Sequence, residues 1–172
     1  MVMYAKLAGR DALLIALALG VWWLLAGRSV GHGVVADFAG VLAGGMLGVV
    51  AFLLHEWGHW LGGLATRSRM QPARSLGSRF LFSYDARGNS LSQFLVMSLG
   101  GFAVTAALVW AYQVHLPDGL LATRVARGAS LFLAFLGVTL ELPLVFVAVW
   151  RGAVPAEATV KLAAPATTAQ ST

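Results

Sequence analysis

The chain has 172 residues, of which 59% are hydrophobic and 11% charged, a balance that excludes an ordinary soluble domain and matches a polytopic membrane protein of one compact domain. It contains no cysteine, which excludes a disulfide framework, a thiolate metal site and a cysteine nucleophile. Lys and Arg exceed Asp and Glu by 12 to 7, but the basic residues fall between apolar segments, where they report membrane topology rather than a nucleic-acid partner.

Four segments are predicted to span the bilayer, each needing about 20 residues. The first covers residues 11–26, with 7–9 able to extend it. A cleaved signal peptide is the competing account, since Lys6 and Arg10 precede the apolar run. Trp22 and Trp23 continue that run, however, and Gly27-Arg28 is a poor cleavage site, so the segment is expected to stay as a helix. The second runs from 33 to 65, longer than a straight crossing needs. Tilt, a break among Gly40, Gly44, Gly45 and Gly48, or an interfacial start near Asp37 would each accommodate the excess. Gly40, Gly44 and Gly48 recur every four residues, the spacing of a close helix-packing face. The third covers 93–114 and the fourth 128–150. Residues 1–154 are thus expected to form a single membrane-embedded, all-α domain. The tail 155–172, rich in Ala, Thr and Pro, is expected to be disordered.

Lys6, Arg10, Arg67, Arg69, Arg74, Arg79, Arg87, Arg151 and Lys161 fall on one side of this arrangement, and only Arg28, Arg124 and Arg127 on the other. The asymmetry predicts cytoplasmic termini, a cytoplasmic central loop and a place in the cell (inner) membrane. The central arginines are secondarily suited to anionic lipid.

His55-Glu56-Trp57-Gly58-His59 lies near the cytoplasmic end of the second segment. Two histidines four apart share a helix face and can point at one metal ion, with Glu56 beside them as proton acceptor, as in a zinc hydrolase. A pattern with two free positions also arises by chance. Here it lies among Phe52, Leu53, Leu54, Trp60, Leu61 and Leu64, where a charged side chain costs about 2.5–3.5 kcal/mol to insert, and that cost favours a functional site.

Catalytic zinc takes three protein ligands and keeps a position open. Of the seven acidic residues, only Glu56 and Glu141 fall deep in predicted helices. Glu141 precedes Arg151 by ten residues, and His59 and His55 precede Arg67 by eight and twelve. At a rise of 1.5 Å per residue all three lie about 12–18 Å from one membrane face, so Glu141 is the expected third ligand. Its plainer role is a carboxyl that joins two helices or lines a polar cavity. Pro143 would kink the helix at this depth, which suits a cavity wall. Asp85 and Asp118 are weaker candidates in loops, and His32 and His115 are expected at the opposite interface.

These residues resemble the site-2 protease family of intramembrane zinc metalloproteases. Leu54-His55-Glu56-Trp57-Gly58-His59 is similar to its zinc-binding helix. Residues 70–89, with the alternating Arg79-Phe80-Leu81-Phe82-Ser83-Tyr84 and the turn-forming Asp85-Ala86-Arg87-Gly88-Asn89, resemble the β-hairpin that follows that helix. Gly101-Phe102-Ala103-Val104-Thr105 resembles the small-residue motif of its next helix. The likeness covers about 34–151 and implies a three-helix core with a small cytoplasmic β-hairpin. The family's third ligand is an aspartate in Leu-Asp-Gly, after an Asn-containing Pro motif. This chain has no Leu-Asp-Gly and instead carries Leu140-Glu141-Leu142-Pro143, without the Asn that steadies substrate. Either Glu141 replaces the aspartate in a divergent member, or the coordination is incomplete.

The expected activity is metal-assisted hydrolysis of peptide bonds in a membrane-spanning protein substrate near the cytoplasmic face. Zn2+ would be held by His55, His59 and Glu141, with Glu56 as base. The substrate would have to unwind, and the hairpin would either offer it a strand edge or serve as a plain connector. Two imidazoles and a carboxylate also suit ferrous iron. An inactive protease-like scaffold and a non-catalytic metal-binding membrane protein, such as a transporter or sensor, are the alternatives. A transporter should show a second intramembrane polar cluster, and none is visible in the sequence.

Overall fold

The computed structural model describes residues 2–156 and 158. Helix α1 covers Val2–Leu25, a 3-10 turn covers Ala26–Ser29, and α2 covers Val34–Ala65. Strands β1 (Met70–Pro72) and β2 (Phe82–Tyr84) precede α3, Leu91–His115. The last span begins as α4, Leu121–Leu136, passes through a π-helical turn at Gly137–Glu141, and ends as α5, Leu142–Arg151. Among the described residues four helices are therefore long and apolar enough to cross a membrane, with a small antiparallel sheet after the second. Trp23, Phe38, Phe132, Phe146 and Trp150 are exposed on the outside of the bundle, an exterior suited to hydrocarbon rather than water.

Two spans begin earlier than expected. Helix α1 starts at Val2 rather than 11 and α4 at Leu121 rather than 128. Hydropathy discounted the charges in both, and one arginine of each added segment, Arg10 and Arg127, is held by polar partners. Arg127 donates to the carbonyls of Tyr112, Gln113 and Leu116 and pairs with Asp118 at 2.8 Å. It thereby satisfies acceptors that the C-terminus of α3 leaves free. Arg10 is held in an equivalent way at the other end of the molecule, by Asp11 and two loop carbonyls.

Helix α2 is the central post, packed against α1, α3 and α4. It runs unbroken through its glycines. A Cβ at Gly40 would overlap Leu121, one at Gly44 would overlap the Ala122 carbonyl and Val125, and one at Gly48 would overlap Ala129. The glycine face expected from the four-residue spacing is therefore the seat of α4. A capping box opens α3, with the Ser90 hydroxyl accepting from Gln93 N–H and the Gln93 side chain accepting from Ser90 N–H.

The sheet pairs Met70 with Tyr84, Gln71 with Ser83 and Pro72 with Phe82. Its connection is residues 73–81, so the Asp85–Asn89 stretch, read as the turn of the hairpin, follows β2 and leads into α3. Asp85 Oδ1 accepts from the N–H groups of Arg87 and Gly88, an Asx turn. Asn89 ties that turn to Arg69 in both directions. Beneath the sheet Leu81, Phe82, Tyr84, Phe94 and Met97 are buried with Leu7 of α1. Burial pushes the Tyr84 phenol up to about 12, so it packs as a neutral ring.

Of the tail expected to be disordered, Pro155 and Ala158 are buried; residues 157 and 159–172 lie outside the described residues.

Candidate metal centre

His55 and His59 occupy consecutive turns of one face of α2, and both are buried. Helix α3 sets their orientation. His55 Nδ1 lies 2.8 Å from Thr105 Oγ1 and 3.2 Å from the Gly101 carbonyl, and His59 Nδ1 lies 3.0 Å from the Met97 carbonyl. A carbonyl only accepts, so each Nδ1 is assigned the hydrogen, and each Nε2 of a neutral ring presents a lone pair. Such closeness requires glycine on both helices. A Cβ at Gly101 would enter the His59 ring, and Gly58 and Gly100 meet backbone to backbone.

Glu141 comes from the π turn of the last span. The turn closes with Leu142 N–H on the Gly137 carbonyl, immediately before Pro143, which has no N–H of its own to continue an α ladder. Where a kink was expected at Pro143, the span shows a π turn with one extra residue just before the proline, and Glu141 lies at its end. Glu141 Oε1 lies 3.3 Å from His55 Nε2, and Oε2 lies 3.2 Å from His59 Nε2. The two Nε2 atoms are 3.0 Å apart, with the rings edge to face at 82°.

Two imidazole nitrogens and the two oxygens of one carboxylate therefore converge, each oxygen facing one nitrogen, with these separations at 3.0–3.3 Å. Ligands bound tetrahedrally at about 2.0–2.1 Å would be spaced by about 3.3 Å, so the donor set fits a metal ion in both chemistry and size. Among the described residues His55, His59 and Glu141 are the group that could hold one. Asp85 and Asp118 are elsewhere, the first in its turn and the second paired with Arg127. His115 packs edge-on against Trp110, and His32 is exposed.

Glu56 is buried, with Oε2 3.5 Å from Leu81 N. It shares with His59 and Glu141 the wall of a cavity of about 430 Å³. The remaining wall is largely apolar, with Phe80, Phe82, Phe94, Met97, Leu140 and Leu144 in it. Two carboxyl groups thus face one cavity with no Lys or Arg among its described lining residues. A divalent cation between the histidines would balance that charge.

That Thr105, Met97 and Gly101 orient the imidazoles was not legible from residue types, because the Nδ1 partners are mostly main-chain atoms that any residue supplies. Nor was the role of Asp11, which accepts from Trp57 Nε1 at 3.0 Å inside the motif. No protein-family model, curated protein or solved structure matches the chain.

Proposed function

We propose that the protein is an intramembrane zinc metalloprotease, a divergent relative of the site-2 protease type. It would cleave membrane-spanning protein substrates close to the cytoplasmic face, with both termini in the cytoplasm. The observation that carries this reading is the convergence of two imidazole Nε2 atoms and the Glu141 carboxylate, with Glu56 opening on the same cavity.

His55, His59 and Glu141 would hold zinc, which when bound would supply Lewis-acid polarisation of the scissile carbonyl and lower the pKa of a water toward neutrality. The chain's own residues do the rest. His55 and His59 are kept as Nε2 ligands by hydrogen bonds on Nδ1. Glu56 accepts the proton of the attacking water on a carboxylate oxygen and returns it to the leaving amine nitrogen as the C–N bond breaks. The aromatic and aliphatic wall excludes bulk water and receives an apolar side chain of the unwound substrate.

The test compares zinc content and cleavage of a transmembrane peptide for the detergent-purified natural protein, His59→Ala, Glu141→Ala and Glu56→Gln. One zinc per chain, lost in the first two variants and kept in a silent Glu56→Gln, supports the reading. Natural protein that takes up no supplied zinc, or zinc that survives Glu141→Ala, sinks it. The missing Leu-Asp-Gly favours a second reading, a catalytically inactive protease-like membrane scaffold, which would keep the helices and cleave nothing.

A further inference from the structure

We infer that Arg10 is a positioning residue, whose guanidinium clamps the 73–81 loop over the cavity and so holds the Leu81 amide against Glu56. The inference rests on the reading of Glu56 as the base. It starts from Asp11, a carboxylate only 2% exposed in an apolar helix, where an unpaired charge would be costly. Arg10 Nε and Nη2 meet Asp11 Oδ1 at 2.8 and 2.7 Å, and Trp57 Nε1 donates to the other oxygen. The Arg10–Asp11 pair is therefore fixed to the metal-binding helix between Glu56 and Gly58.

The remaining arm of the fork is aimed at the loop. Arg10 Nη1 donates to the carbonyls of Leu76 and Ser78, both at 2.7 Å. From Ser78 the path to the site is short. Ser78 Oγ donates to the Phe80 carbonyl and accepts from Phe80 N–H, Phe80 lines the cavity, and Leu81 N faces Glu56 Oε2. The Leu81 carbonyl accepts from Ala73 N–H at 3.0 Å, which closes the loop on β1. One guanidinium thus joins α1, the motif helix and the cavity roof. A lysine would serve equally as a charge near the membrane surface, but it cannot hold a carboxylate and two carbonyls in one plane.

The experiment measures amide hydrogen exchange in zinc-supplied, detergent-purified natural protein, Arg10→Lys, and the double variant Arg10→Gln/Asp11→Asn. The double variant removes both charges together and leaves an acceptor for Trp57, so it avoids stranding a buried carboxylate. Exchange in residues 76–81 should quicken by about tenfold in both variants, with α2 amides and zinc content unchanged. For a transmembrane peptide substrate, kcat should fall by about tenfold or more, with a smaller change in KM. Loop exchange in Arg10→Lys that matches the natural protein would overturn the clamp, because charge alone would then suffice. Faster loop exchange with kcat unaltered would overturn the link to Glu56. A natural protein that binds zinc but cleaves no peptide would defeat the protease reading, while exchange at Leu81 would still decide whether Arg10 holds the loop.

Discussion

The Nε2 atoms of His55 and His59 lie 3.0 Å apart although each ring has its hydrogen committed on the far side, at Nδ1. Two lone pairs do not attract each other, and the Glu141 carboxylate beside them adds a third acceptor. With this tautomer the group could hold a cation, and its supports can be tested individually.

Thr105→Val removes the hydroxyl 2.8 Å from His55 Nδ1 and keeps the shape of the side chain. The Gly101 carbonyl remains as a weaker partner at 3.2 Å. Zinc affinity should fall by about 10-fold, the low end of what an outer partner of a metal-binding histidine contributes. Competition against a chelator of known affinity measures it, and an unchanged affinity would remove Thr105 from the site.

Gly101→Ala and Gly44→Ala both introduce a methyl group where none fits, the first into the His59 ring and the second into the Ala122 carbonyl. Each should destabilise the protein by about 1–3 kcal/mol. Only Gly101→Ala should also lose zinc, because only there is a ligand displaced. Thermal unfolding in detergent, paired with metal analysis, separates the two, and equal zinc in both variants would contradict this geometry.

Glu141→Asp tests whether the π turn and the longer side chain belong together. The carboxylate would retreat by about 1.5 Å from nitrogens that it now approaches to 3.2 and 3.3 Å. Zinc affinity should fall by at least about 100-fold, beyond the usual loss from an outer-sphere partner. Full affinity in the aspartate variant would mean that the last helix can move to follow its ligand.

Leu144→Trp enlarges a side chain that lines the cavity and is not itself one of the three candidate ligands. For a peptide bearing a large apolar residue beside the scissile bond, kcat/KM should drop by about 10-fold or more, mostly through KM, with zinc retained. A substrate with a small residue there should be affected less. Equal effects on both substrates would show that the cavity does not receive that side chain.

Much of this was legible in the sequence because helical periodicity and depth are one-dimensional quantities. The spacing of His55 and His59 put both rings on one face, and counting residues back from Arg151 and Arg67 brought Glu141 to their level. The stripe of Gly40, Gly44 and Gly48 announced a close helix contact, now seen with α4. What stayed hidden was side-chain reach. Arg127 and Arg10 looked like loop charges, since hydropathy cannot register that a guanidinium will fold back onto carbonyls and keep its helix going. The hairpin itself was legible, but the residues that turn it were not. Asp85-Ala86-Arg87-Gly88-Asn89 has strong turn chemistry, but a turn residue does not say whether it joins two strands or a strand to a helix.

Since Met97, Gly101 and Thr105 all belong to α3 and meet α2 along a seam where Gly58 faces Gly100, the histidine pair is oriented as soon as two helices have docked. Glu141 arrives only with the final span. The candidate ion site is therefore incomplete without the last span, so an ion that needs all three side chains would be held only by the finished bundle.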